Sequence, residues 1–277
     1  MIKFYLSIIL LIILLFLLML WMRNRSYQHQ IDTVWSELSL PKKGQTIYHE
    51  DSITDLPPVV QKYFNHVLIP GTFKASGVEV EMKGEIKLSP SSDWIPFEAQ
   101  QIIRGREGFV WKAQAEVNPF IKLSGADYYY QDNARLYFSL FKLIPVVNVS
   151  SEAVAKSAQG RLLIESLWVP SALLPGPEIS WNALDSTNIE VKITLEGDIS
   201  TLTFLLGKSG NLQEISMMRY QTVGKDSLAL LSFGAYIDEE KKFENYTIPN
   251  KIRVGWNFGT PRYDEFFRAE VLKARFF

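Results

Sequence analysis

The stretch GVEVEMKGEIKL, residues 77–88, decides how the chain is read. Val78, Val80 and Met82 alternate with Glu79, Glu81 and Lys83. Successive side chains of an extended strand point to opposite faces, so a period of two gives one oily face and one wetted face. The same texture recurs in GFVWKAQAEV (108–117), ARLYFSLFKL (134–143), NIEVKITLEG (188–197) and STLTFLLG (200–207). It returns in NKIRVGWNFG (250–259) and FFRAEVLKARFF (266–277). Turn signals such as SPSSD, GREG, YQDNA, EGD, KSGN and FGTPRYD separate these runs at intervals of roughly ten residues. That rhythm predicts an antiparallel meander or barrel of about ten or eleven strands, not alternating strand–helix–strand units.

Composition agrees with a β-rich fold. The 277 residues include 17 Phe, 12 Tyr and 7 Trp, types that pack well on a pleated surface. The net charge of −1 and the absence of a basic cluster give no electrostatic case for nucleic acid. With no cysteine, thiolate nucleophiles, disulfides and zinc–sulfur sites are excluded.

Outward from the strands, the N-terminus carries FYLSIILLIILLFLLMLWM, residues 4–22, without a charge or a helix breaker. At ~1.5 Å per residue this run is just long enough to cross a hydrocarbon core of roughly 30 Å. A signal peptide would have a shorter apolar region and a small-residue cleavage site, which LWMRNRSYQ lacks. The expectation is an uncleaved single-pass anchor over residues 1–23, with Trp21 at the interface. Lys3 on one side and Arg23 and Arg25 on the other leave the orientation ambiguous.

Residues 24–53 read as a short juxtamembrane helix, with Ile31, Val34, Trp35 and Leu38 at helical spacing, followed by a tether, LPKKGQTIYHEDS. Residues 54–277 form the β-rich domain. It opens on a helix in TDLPPVVQKYFNHV, capped by Thr54 or Asp55, with prolines in the first turn and a Val60, Phe64, Val67 stripe. A second helix, SSEAVAKSAQGRLLIESL (150–167), interrupts the strands, and Gly160 weakens its middle by roughly 1 kcal/mol. Next comes ESLWVPSALLPGPEISW (165–181), too broken for a helix and too apolar for an ordinary loop.

No constellation identifies a reaction. His29, His49 and His66 lack metal-ligand partners at useful spacing, and no nucleophile elbow, P-loop, dinucleotide fingerprint or zinc-protease motif occurs. Neither metal nor cofactor is expected. Asp127 opens an aromatic run with Arg135 across a tight turn. The pair reads either as a polar contact at a cavity mouth or, preferred here, as a hairpin ion pair worth about 0–1 kcal/mol. Trp168, Leu173 and Leu174 either plug one end of the sheet or gate an apolar pocket. One helix cannot cover a whole face of so large a sheet, so the sheet curls on itself or leaves part of that face open to a ligand.

The segments DLPPVVQKYF, LSPSSDWIPFEAQQ, GFVWKAQ, LIPVVNVS, ESLWVPSALLPGPEISW, MRYQTVG and YTIPNKIRVGW resemble a bacterial family of membrane-anchored proteins of unknown function. The similarity runs from Leu56 onward, and the W-x-P-x-A-L-L-P motif, Trp168 to Pro175, is its most specific part. That family is similar in architecture to the lipoprotein-localisation-factor superfamily. The resemblance implies an open, curved antiparallel half-barrel with a helix or loop lid over an apolar cavity for acyl chains. It supplies no catalytic residues.

Together these readings predict a non-catalytic, membrane-anchored binding or carrier protein for a lipid or other lipophilic ligand, its globular domain expected on the extracytoplasmic side. Trp168, Pro170, Leu173, Leu174, Pro175, Trp111 and Tyr220 are the expected lid or cavity residues. Asp127, Arg135, Glu165 and Arg219 are the polar candidates at the cavity mouth. Those four would also serve the alternative, a membrane-tethered enzyme acting on a lipid or cell-envelope substrate. A third reading is an assembly protein whose sheet edge or apolar loop docks a partner.

Overall fold

Period-two patterning can bury its apolar side only if the strands share a sheet and something covers that sheet's oily face. The computed structural model, which describes residues 1–41, 46–223 and 227–277, meets both conditions. Three helices are α1 (Ile2–Ser39), α2 (Pro58–Val67) and α3 (Glu152–Glu165). The first six strands are β1 (Val78–Ile86), β2 (Ile95–Arg104), β3 (Gly108–Asn118), β4 (Ile121–Tyr130), β5 (Asn133–Leu140) and β6 (Ile144–Val149). After α3 come β7 (Ile179–Ala183), β8 (Asn188–Leu195), β9 (Asp198–Leu206) and β10 (Leu212–Val223). The last three are β11 (Ser227–Phe243), β12 (Tyr246–Trp256) and β13 (Asp264–Phe276).

The described residues form one antiparallel sheet in the order β6-β5-β4-β3-β2-β1-β13-β12-β11-β10-β9-β8-β7. Two meanders meet where β1 pairs with both β2 and β13, Val78 lying opposite Ile103 on one side and Phe276 on the other. Curvature follows from α3, which touches β4 and β5 on one flank and β9 and β10 on the other. In a flat sheet β4 and β10 would lie ~34 Å apart at ~4.8 Å per strand, far beyond the ~10–12 Å width of a helix. The sheet therefore wraps around α3 as an open half-barrel.

The strand count of thirteen exceeds the ten or eleven expected from pattern. The burial of β2 shows why pattern fails there. Its first half alternates, but Gln101, Ile102, Ile103 and Arg104 are all buried, because both faces are covered at that level. Inward, Ile103 joins the main core with Phe109, Val78 and Leu163. Outward, Ile102 packs with Val110, Ala126, Tyr128 and Tyr137 beneath Tyr27, Ile31, Val34 and Leu38 of α1.

That outer contact changes the reading of the N-terminus. The expected separate juxtamembrane helix does not occur; one unbroken α1 continues from the apolar run to Ser39. Its first half, long and apolar enough to cross a membrane, is exposed, whereas Leu20, Asn24, Tyr27, Ile31, Val34 and Leu38 are buried against the domain. Tyr27 donates to the Ala126 carbonyl (3.1 Å), and Arg104 donates to the carbonyls of Leu38 (2.8 Å) and Leu40. Part of the expected tether, residues 42–45, lies outside the described residues. The part beyond it is fastened down, since Tyr48 exchanges backbone hydrogen bonds with Thr72 and Gly71 and its side chain is buried.

Helix α2 begins at Pro58 after Pro57 at the N-cap position; neither Thr54 nor Asp55 caps it. Its Val60, Phe64 and Val67 stripe is buried as the spacing predicts, with Tyr63 and Phe64 edge-on to Phe204 and Trp181. Helix α3 is capped by Ser151, whose side chain accepts from the Val154 amide (3.3 Å).

Candidate functional site

The inner face of the half-barrel has two unlike ends. At the far end, away from the apolar start of α1, the tryptophan–proline segment fills the space. Single-turn helices at Ser166–Trp168 and Pro170–Leu173 follow α3 directly. Trp168 is 3% exposed and donates its indole N–H to the Pro249 carbonyl (3.0 Å). Ser171 donates to the Ala75 carbonyl (2.7 Å), and the Trp181 indole donates to the Leu173 carbonyl (2.8 Å). Each buried polar group thus has a partner, and the apolar side chains join the main core. This is the plug reading of the segment. Trp168, Pro170 and Leu173 are buried in it, Leu174 is half-buried and Pro175 lies on the surface.

Midway along the inner face sits a cluster of charge. Register places Gln101, Trp111 and Asp127 directly opposite one another on β2, β3 and β4. Above this row, α3 presents Arg161 and Glu165 one turn apart. Arg161 donates to Asp127 (2.7 Å) and Glu165 (2.6 Å), and Gln101 donates to the other Glu165 oxygen (2.6 Å). The Arg161 guanidinium also lies over the rings of Phe109 (4.6 Å) and Trp111 (5.4 Å). Burial raises the Asp127 pKa, an effect that neighbouring Arg161 opposes. Burial pulls Arg161 down, but Glu165 and Asp127 outweigh it and hold the guanidinium above its usual range. Both carboxylates are engaged by Arg161.

Arg219, from β10, reaches the same space from the opposite wall. It is 9% exposed, and its guanidinium lies over Phe233 (4.4 Å) and Trp256 (5.1 Å). Its Nε donates to the Ser157 carbonyl (3.1 Å), while its terminal amino groups make no hydrogen bond or ion pair among the described residues. Burial and repulsion from Arg161 lower its pKa to about 10. Gly160 makes room for it, because a Cβ there would stand 2.8 Å from Arg219 Cγ. A largely buried cation lying over two aromatic rings thus keeps hydrogen-bonding capacity that its surroundings leave unused.

Toward the near end the inner face is less covered. Ile86, Leu123, Phe138, Val254, Trp256 and Phe267 are half-buried there against the core. Phe97 stacks on Phe267 (5.1 Å) and stands edge-on to Trp111 (5.6 Å).

Three sequence expectations are corrected. Arg135 does not pair with Asp127: Asp127 lies opposite Leu136 on the inner face, and Arg135 projects outward. There Arg135 donates to Asn148 (2.9 Å) and covers Tyr27 (5.0 Å). Tyr220 alternates with Arg219 and so faces outward as well. Pro175, exposed, lines nothing on the inner face. Asp127, Glu165, Arg219 and Trp111 do come together. Pattern reading missed Arg161 and Gln101; the available signal was Arg161 one helical turn before Glu165, beside a mid-helix glycine.

Two grooves mark the outer face. One, between α1 and the sheet, is lined by Asn24, Gln28, Gln100, Lys112, Ser124 and Lys142. The other runs over a ladder of opposed charges, including Lys83–Glu270 (3.4 Å) and Arg253–Asp238 (2.9 Å), that largely neutralise one another.

Comparison with solved structures gives distant likenesses. A DUF1329 family protein from Desulfovibrio piger superposes over 73% of this chain and 86% of its own, with 11% identity and a TM-score of 0.40. A domain assigned as an outer membrane lipoprotein-sorting protein from Vibrio parahaemolyticus gives 79% and 90%, 11% identity and 0.41. A LolA superfamily protein from Nitrosomonas europaea gives 78% and 91%, 9% identity and 0.42. No curated protein matches the chain. Residues 54–276, most of the sequence, match the model of the Family of unknown function (DUF6920), and the chain belongs to that family.

Proposed function

We propose that this protein is a membrane-anchored, non-catalytic binding protein or carrier for a lipophilic molecule with an anionic head. The observation that carries the reading is Arg219, a largely buried guanidinium lying over the neighbouring rings of Phe233 and Trp256 with its terminal amino groups unpartnered. A carboxylate or phosphate would complete its hydrogen bonding, while an apolar tail would lie along the half-buried side chains toward the near end. Each methylene withdrawn from water would add about 0.8 kcal/mol. The exposed apolar half of α1 supports membrane attachment.

The test uses the full chain in detergent with a fluorescent fatty acid as probe. Arg219→Gln is expected to weaken binding roughly ten- to a hundredfold, the ~1.5–3 kcal/mol of a charge-assisted hydrogen bond. A neutral probe of the same chain length is expected to bind the variant as it binds the parent. Binding of the acid is also expected to fall as pH rises through about 10, where Arg219 loses its proton. A parent protein that binds neither probe would overturn the proposal.

A further inference from the structure

The docking of α1 fixes which end of the sheet faces the bilayer, a statement that rests on α1 spanning the membrane. Along the outer face, α1 and β4 run side by side. Gln30 donates to the Tyr128 hydroxyl (2.9 Å), Tyr27 bonds the Ala126 carbonyl (3.1 Å), and Asn24 shares a groove with Ser124. Moving toward the start of β4 therefore means moving toward the apolar end of α1.

Distances then decide how far the sheet reaches. From Tyr27 back to Trp21 the helix rises ~9 Å at ~1.5 Å per residue. From Ala126 back to Phe120, in the β3–β4 turn, the strand extends ~20 Å at ~3.3 Å per residue. Even inclined by about 45°, a usual tilt in barrels, it advances ~14 Å along the helix axis. The turn thus passes the level of Trp21 and reaches the edge of the apolar span.

The turns at that end have the composition such a position demands. Three neighbouring hairpins, β1–β2, β3–β4 and β5–β6, turn there. They carry Leu88 (61% exposed), Phe120 (84%) and Phe141 (62%), with exposed Val117 and Ile144 and half-buried Trp94 beside them. Lys122 and Lys142 are exposed among them, and Lys87 lies over the Trp94 ring (4.8 Å). Asp93 and Glu116 are interspersed, Glu116 pairing with Lys122 (3.7 Å). Hairpins of the same half-sheet that turn at the opposite end hold Gly105, Arg106 and Glu107, or Gln131 and Asp132. This half of the sheet therefore has apolar, aromatic and basic turns at one end and polar turns at the other.

Backbone conformation adds an independent mark. Gln131 and Asp132 sit in the left-handed region (φ 49 and 59), as polar residues in tight hairpin turns commonly do. Phe141 and Lys142 make the equivalent turn at the other end with φ 54 and 55. A bulky aromatic is disfavoured there, so an exposed Phe in that conformation points to a use for the ring outside the domain's own packing.

We propose that these three turns form a rim inserted into the headgroup region of the bilayer that α1 enters, so that the half-buried near end of the inner face opens onto lipid. Aromatic rings with lysines are what that interface accommodates, and the lysines favour anionic lipid.

The chain lacks cysteine, so single labels can be introduced into the whole protein. Phe120→Cys, Leu88→Cys, Gln131→Cys and Ile13→Cys would each carry an environment-sensitive fluorophore. Each variant would be reconstituted in vesicles of phosphatidylcholine and phosphatidylglycerol containing spin-labelled lipid. Labels at 120 and 88 are expected to shift to the blue and to be quenched several-fold more than the label at 131. Quenching at 13 but not at 120 or 88 would leave the anchor standing and sink the rim. An unquenched label at 13 would instead remove the anchor on which the rim depends.

Discussion

The two ends of the inner face have the same kinds of wall and opposite contents. At the far end Trp168, Leu173 and Trp181 are buried, their indole N–H groups matched to backbone carbonyls, and α2 packs behind them. At the near end Phe138, Trp256 and Phe267 have comparable size and apolarity but are only half covered. A protein interior normally fills to the density of an organic crystal, and the far end shows that this chain can do so. The difference teaches that one sheet packs one end fully and leaves the other half covered, with the charged cluster marking the boundary, and the proposed ligand would complete that cover.

The largest expected effect tests that contrast directly. Trp168→Ala removes a fully packed ring and its hydrogen bond, and should cost ~3–5 kcal/mol, a fall in Tm on the order of 10 °C. Phe267→Ala, at the near end, should cost only ~1–2 kcal/mol, because less of its surface is buried. Thermal melts of the two variants in one detergent decide the matter; equal losses would erase the distinction between the ends.

A smaller effect sharpens the boundary. Gly160→Ala gains ~1 kcal/mol of helix propensity but brings a methyl within 2.8 Å of Arg219 Cγ. Its Tm is expected to stay within a few degrees of the parent while fatty-acid affinity drops several-fold as the guanidinium is displaced. Unchanged affinity would separate Arg219 from the ligand. The smallest effect concerns the rim: Phe141→Asn should relieve ~1 kcal/mol of left-handed backbone strain, visible as a slight rise in Tm in detergent. A fall would mean that the ring packs on the domain after all.

Much of the architecture could be read from spacing. Val78, Val80 and Met82 do face the core, and Val60, Phe64 and Val67 do line α2. Pattern failed where a region acquired a second covered face. The second half of β2 lost its alternation because α1 lies across Ile102, an arrangement between residues far apart in the chain. Asp127 and Arg135 illustrate the other limit. They are close in sequence across a turn, yet residues directly opposite on paired strands share a face, and Arg135 stands opposite Tyr128. One position of register was enough to send Asp127 to Arg161 and Arg135 to the outer surface. The partners of Asp127 and Arg219 come from α3, whose crossing of the half-barrel no local signal encodes.

The unbroken run of α1 from apolar span to docked segment has a mechanical meaning. Because the helix is fastened to the sheet by Tyr27 and Arg104, a head anchored through α1 as proposed would ride on a mast instead of a leash. Under the proposed anchoring, such a head would spin about its mast and drift in the plane of the membrane without swinging out across an aqueous gap. A molecule held inside would have to be collected and released at one fixed height above the lipid, with the next acceptor coming to meet it.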